Sequence, residues 1–161
     1  WGRDNRSIQA TEPEPSIGAQ TTFGRDTDDP RAVHGELLRM AARASSRMRE
    51  AGMCGRAVSI SVRFSDFTTI TRTAQLPSPT DVTDEVYAQA LRLYEGLHLQ
   101  RARIRRVGVR IERLVPAAEA YQQPTLDAPE RGMREVELAA DALIRRFGPN
   151  AVGRATLAGS T

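Results

Sequence analysis

At 161 residues, with 40% hydrophobic and 27% charged side chains, the chain is long enough for one ordinary domain plus flanking segments and apolar enough to bury a core. No apolar run approaches the ~20 residues of a membrane span, no signal-peptide pattern opens the chain, and the lone Cys54 leaves no internal disulfide, so the cytosol is the expected setting. Net charge is only +3, yet all 23 basic residues are arginine, whose forked donors suit phosphate oxygens; a GC-rich genome would produce the same bias.

Residues 1–15, ending Thr11-Glu12-Pro13-Glu14-Pro15, form an acidic, proline-containing linker. Trp1 in place of Met suggests a fragment of a longer chain. Ser16 to Phe23 fits a first strand. Asp28-Asp29-Pro30 has the chemistry of a helix start, with Asp29 as N-cap and Pro30 at the first helical position. Val33, Leu37, Ala41, Ala44 and Met48 follow at helical spacing until Gly52 ends the helix.

Val58, Ile60, Val62 and Phe64 then alternate with Ala57, Ser59, Ser61 and Arg63, the pattern of a half-buried strand. Ser65-Asp66 signals a turn into a β-branched run from Thr68 to Leu76, with Thr69, Thr71 and Thr73 on one face, and Pro77-Ser78-Pro79 is expected to break the chain. A second helix starts near Asp81 or Thr83 and carries Val86, Ala90, Leu93 and Leu97. A last strand, Ile104 to Leu114, puts Val107, Val109 and Ile111 on one face and Arg106, Gly108 and Arg110 on the other. Ala117 to Pro129 has linker composition, and Glu130 to Phe147 forms a third helix with Val136, Ala140, Leu143 and Phe147 in a stripe.

The expected order is β-α-β-β-α-β, so the fold class is α+β: a ferredoxin-like, two-layer sandwich with a four-stranded antiparallel sheet, two helices on one face and a C-terminal helical tail. Two helices cover one side of a sheet only. The other side would carry Ser59, Ser61, Arg63, Thr69, Thr71, Thr73, Arg106 and Arg110, a face of hydroxyls and guanidinium groups. Six arginines against the single Glu112 between Arg101 and Arg113 mark an anion-binding segment. Two plainer explanations compete: arginine on a strand discourages edge pairing, and threonine has high β-propensity anyway. Asp26, Asp28 and Asp29 could hold a divalent cation, although such a run more often complements a helix dipole. His34, His98 and Cys54 lack the partners that catalysis needs.

Three segments in fixed order resemble the little finger, the C-terminal module of Y-family translesion DNA polymerases of the polymerase IV (DinB) type. They are Ser16-Ile17-Gly18 through Thr22-Phe23, the hairpin Ala57 to Leu76, and Ile104-Arg105-Arg106-Val107-Gly108-Val109-Arg110. Trp1-Gly2-Arg3-Asp4 is similar to the end of the thumb domain, which makes 1–15 a linker from the thumb, 16–115 the little finger, 116–129 a second linker and 130–161 a C-terminal helix and tail. The resemblance implies an exposed sheet face lying in the major groove of a template–primer duplex. It implies phosphate contacts from Ser16, Gly18, Ala19 and Thr22, from Thr69, Thr71 and Arg72, and from Arg105, Arg106 and Arg110. Strict alternation would turn Arg105 toward the core with Val107.

Catalytic carboxylates and magnesium belong to that family's palm domain, so the resemblance implies a bacterial, cytoplasmic, nucleoid-associated polymerase whose chemistry lies outside this segment, with no cofactor in it. A sliding clamp or another repair protein is a second expected partner, through Gln123 and Leu126, the sheet face or residues 130–147. A protein-interaction module is thus the alternative to a DNA-holding one. An RNA-recognition domain shares the element order but stacks bases on aromatics of its central strands, and Arg106, Gly108 and Arg110 supply none.

Overall fold

The computed structural model describes residues 15–121 and 130–148. Four strands, β1 (Ile17–Thr27), β2 (Met53–Phe64), β3 (Thr69–Thr80) and β4 (Ile104–Pro116), form one sheet in the order β1-β4-β2-β3. Every neighbouring pair is antiparallel. Helix α1 (Pro30–Ala51) joins β1 to β2, and α2 (Thr83–Glu95) joins β3 to β4. In each case the two joined strands are parallel with one strand between them, the split βαβ arrangement expected from the sequence.

Helix α1 begins and ends where its chemistry dictates. Asp29 Oδ1 accepts from the Arg31 amide at 3.0 Å, Pro30 takes the first turn, and Gly52 closes the helix in the left-handed region at φ 68°. Its predicted stripe of Val33, Leu37, Ala41, Ala44 and Met48 is fully buried. That stripe meets Val58, Ile60 and Val62 of β2 and Val107, Val109 and Ile111 of β4, with Val86, Ala90 and Tyr94 of α2 completing the core. Each fully buried Val, Leu, Ile or Met side chain among these contributes about 1.5–3 kcal/mol of apolar transfer.

Several boundaries differ from the sequence reading: β1 runs on past Phe23 to Thr27 and β4 past Leu114 to Pro116. β3 does not stop at Leu76 but runs through Pro77 and Pro79 to Thr80. It is an edge strand, and the prolines fall where its register against β2 shifts between Ala57↔Gln75 and Gly55↔Thr80; both settings tolerate a residue that cannot donate to a ladder. β2 starts four residues before Ala57, at Met53. Gly55 there is a packing residue rather than a turn, because the Ile111 side chain occupies the space a Cβ would need.

The segment after β4 is not all linker: α3 (Ala117–Ala120) is a single helical turn. Helix α4 (Glu130–Phe147) has the predicted bounds but the opposite facing. Val136, Leu143 and Phe147 of the apolar stripe are exposed, whereas Glu137 and Asp141 are buried. Arg134 of α4 donates from Nε to both oxygens of the buried Asp81 at 3.0 Å, and Arg49 completes the inversion. The Arg49 guanidinium donates to Glu137 Oε2 at 2.6 Å and to both Asp141 oxygens at 2.6 and 3.1 Å. Glu137 also accepts from the Thr83 amide at 2.9 Å, and so caps α2, whose own N-cap residue Val82 has no side-chain acceptor. Burial opposes the Arg49 charge, but its bond to Asp141 and the fields of Glu137 and Asp141 outweigh that and raise its pKa.

Candidate nucleic-acid interface

The strand registers fix which side chains share the uncovered side of the sheet, because residues directly opposite in a ladder point to the same face. Three rows cross it. One runs Gly18, Arg110, Ser59, Thr73; the next runs Gln20, Gly108, Ser61, Thr71; the third runs Thr22, Arg106, Arg63, Thr69. The three rows thus carry hydroxyls, one amide and guanidinium groups, while Glu112, two residues beyond Arg110 on β4, lines a hollow in the same surface. Among the described residues, no carboxylate lies within ion-pair distance of Arg63, Arg106 or Arg110.

Two features of this face stand out physically. β4 is a central strand, so guarding an edge does not explain Arg106 and Arg110. Arg63 and Arg106 are also directly opposite each other, a like-charge pairing that destabilises a bare sheet. Between the arginines the floor is low. A Cβ on Gly108 would come within 2.8 Å of Ser61 Oγ, so only glycine keeps that row flat. A hollow of about 620 Å³ follows this floor to the β1 edge, bordered by Ser16, Gly18, Ser61, Gly108 and Arg110.

Six sequence-predicted site residues come together here: Gly18, Thr22, Thr69, Thr71, Arg106 and Arg110. Ser16 borders the hollow just before β1. Arg105 escapes the alternation problem through a bulge: Phe64 pairs with Ile104 and Arg63 with Arg106, so Arg105 is the extra residue. Its guanidinium lies 4.4 Å from the Phe67 ring, which Arg63 of the open face also approaches at 5.5 Å. Arg105 is paired to Asp26 at 3.3 Å, which gives that aspartate a structural task.

The side chains of two expected contacts turn the other way. Ala19 is opposite Val109 and packs its side chain against the core, although the residue still lines the hollow. Arg72 is opposite Ile60, so its side chain leaves β3 on the helix side and its Nη1 donates to the Thr71 carbonyl at 2.9 Å. The period of two decides both cases. Gln123 and Leu126 lie outside the described residues.

Sequence reasoning missed Gln20, Phe67 and Arg47. Gln20 follows from alternation once the register is known. Arg47 of α1 donates to the Gly18 carbonyl at 3.0 Å, so this carbonyl points away from β4 at the sheet edge; no sequence signal places α1 against β1. The Phe67 turn is held by Asp66, whose Oδ1 accepts from the Thr68 amide at 3.0 Å and the Thr68 hydroxyl at 2.6 Å. The hydroxyl first, then the amide, keeps the Asp66 carboxyl below its usual range. Among the described residues no group of His, Cys, Asp and Glu could hold a metal ion, and no helix is long and apolar enough to cross a membrane.

Among the described residues, fold and face together define a two-layer split βαβ module with one uncovered, arginine-bearing side. The chain belongs to the impB/mucB/samB family: residues 14–126 match its C-terminal domain. It is similar to DNA polymerase IV of Desulfatibacillum aliphaticivorans, at 32% identity over 158 residues that cover 97% of this chain and 40% of the relative. DNA polymerase IV of Brucella melitensis is 28% identical over 151 residues, covering 94% and 34%. The chain thus spans less than half the length of these curated relatives.

Among solved structures, an insertion ternary complex of Dbh DNA polymerase matches with TM-score 0.56 at 15% identity, over 64% of this chain and 29% of that one. The little finger domain of PolIV, solved in complex with the beta-clamp processivity factor, matches with TM-score 0.50 at 16% identity, over 70% of this chain and 98% of that one. Both show the same fold. The resemblance to the Y-family little finger drawn from the sequence is borne out by the family match.

Proposed function

We propose that this chain is the DNA-holding module of a translesion DNA polymerase of the polymerase IV kind, laying its open sheet face in the major groove of a template–primer duplex. The observation that carries this reading is the unbridged Arg63–Arg106 pair on the two central strands. Two like charges on directly opposite residues cost stability in the free protein, and phosphate oxygens between them reverse the sign. Gly108 lets the phosphate backbone come close to the main chain, and Thr69, Thr71 and Thr22 offer hydroxyls that grip phosphate without reading sequence. Catalysis and its magnesium would reside in the portion of the polymerase that the relatives have and this segment does not span. The whole enzyme would work in the cytoplasm, on the chromosome.

Such binding is tolerant of sequence and weakens steeply with salt, because each neutralised phosphate releases counterions. Replacing both Arg106 and Arg110 with Ala is expected to lower duplex affinity roughly tenfold or more at low salt. The log–log salt slope should also flatten by about 1.8 for two lost phosphate contacts. Fluorescence anisotropy on two unrelated duplexes measures both quantities. Unchanged affinity at low salt overturns the reading.

A second reading rests on a separate observation, the exposed apolar stripe of α4 with Val136 at 62%, Leu143 at 45% and Phe147 at 67% exposure. A helix that buries Glu137 and Asp141 while showing its apolar stripe fits a protein partner. In this reading the partner is the sliding clamp, with Gln123 and Leu126 contributing. Clamp capture that survives Val136→Ser, Leu143→Ser and the Gln123 and Leu126 replacements rules it out.

A further inference from the structure

The turn between β2 and β3 presents an aromatic ring that packing does not explain. Phe67 is 58% exposed, and it sits at φ 69°, a region that a bulky side chain adopts only at a cost in strain. That conformation is locked. The Phe67 amide donates to the Phe64 carbonyl at 3.0 Å, Asp66 holds Thr68, and Arg63 Nε reaches the Phe67 carbonyl at 3.4 Å. A strained, rigid turn that pushes a phenyl ring into water, with the Arg105 guanidinium over it at 4.4 Å, is a poor way to stabilise a domain. It is a good way to offer a stacking surface.

Position decides what would stack. Phe67 adjoins the row Thr22, Arg106, Arg63, Thr69 at the end of the open face, next to the arginines assigned above to phosphate. Bases inside a duplex hide their faces against one another and show a protein only their edges. An unpaired base has a free face, and aromatic side chains flanked by cations are the surface on which such bases stack. We infer that Phe67, framed by Arg105 and Arg63, is a stacking site for an unpaired base next to the duplex held on the open face.

The inference rests on the duplex-holding reading, and the test separates the two. Three ligands are compared by anisotropy at one salt concentration: a blunt duplex, the same duplex with a short single-stranded extension, and that extension with its bases removed. The last two carry the same phosphates, so their difference isolates the bases. The intact protein should bind the base-bearing extension about five- to tenfold more tightly than the abasic one. Phe67→Ala should abolish that difference while leaving blunt-duplex affinity within about twofold, and Phe67→Trp should restore it. Circular dichroism confirms that both variants fold.

If the intact protein makes no distinction between base-bearing and abasic extensions while binding the blunt duplex, the stacking site is wrong and the holding role stands. Equal losses on both extensions in Phe67→Ala also overturn it, because the ring would then act only by placing Arg105 and Arg63. Failure to bind the blunt duplex at low salt removes the holding role and this inference with it.

Discussion

Arg63 and Arg106 are directly opposite residues on a surface that folding did not require to be basic, and that placement sets function against stability. Replacing Arg106 with Thr, a residue at home in strands, should stabilise the free protein by roughly 0.2–1 kcal/mol through relief of repulsion. The same change should weaken duplex binding. Thermal denaturation with and without DNA checks both signs; a lower melting temperature in the free Thr variant would show that the pair is not repulsive. Cys54 illustrates the opposite kind of residue. It is fully buried, and burial, with Asp81 nearby, pushes its thiol up to about 11. At pH 8 roughly one thiol in a thousand is ionised, so a maleimide should label the native protein far more slowly than the unfolded one. Rapid native labelling would contradict its burial.

At the level of elements, α4 is the part whose placement the sequence concealed. Its apolar residues fall at helical spacing, and periodicity alone sends such a stripe to the core. What periodicity omits is Arg49, whose side chain is only 4% exposed and needs carboxylates. The free energy of leaving a buried guanidinium unpaired exceeds that of exposing a few apolar side chains, so Glu137 and Asp141 go inward. Replacing Arg49 with Met should therefore release α4 rather than unfold the domain, since the two carboxylates can regain water by leaving. Hydrogen exchange of α4 amides should rise at least about tenfold while α1 and the sheet stay protected; an unchanged α4 would mean that other contacts hold it. β3 makes the same point on a smaller scale. Pro77 and Pro79 end a central strand but not an edge strand, and the sequence does not say which β3 is.

Over the whole molecule, the parts legible in the sequence are those governed by local chemistry. The Asp29-Pro30 start of α1, its Gly52 stop, and the alternation in β2 and β4 placed nearly every core residue and most of the open face. Strand order was not local. It decided that Arg106 and Arg110 lie on a central strand, and the register of β4 against β2 decided that the bulge at Arg105 brings this residue back to Phe67. The motif resemblance supplied the family from Ile104 to Arg110 and its two companions, while periodicity alone left an RNA-recognition fold open. The role of the uncovered face is tested most directly by recording amide chemical shifts of the ¹⁵N-labelled protein during titration with a short duplex of arbitrary sequence. Shifts should concentrate at Gly18, Gln20, Ser61, Thr71, Arg106 and Gly108 and fade as salt is raised. Shifts confined to α1, α2 or α4, with those six amides unmoved, would show that nucleic acid does not lie on the open sheet.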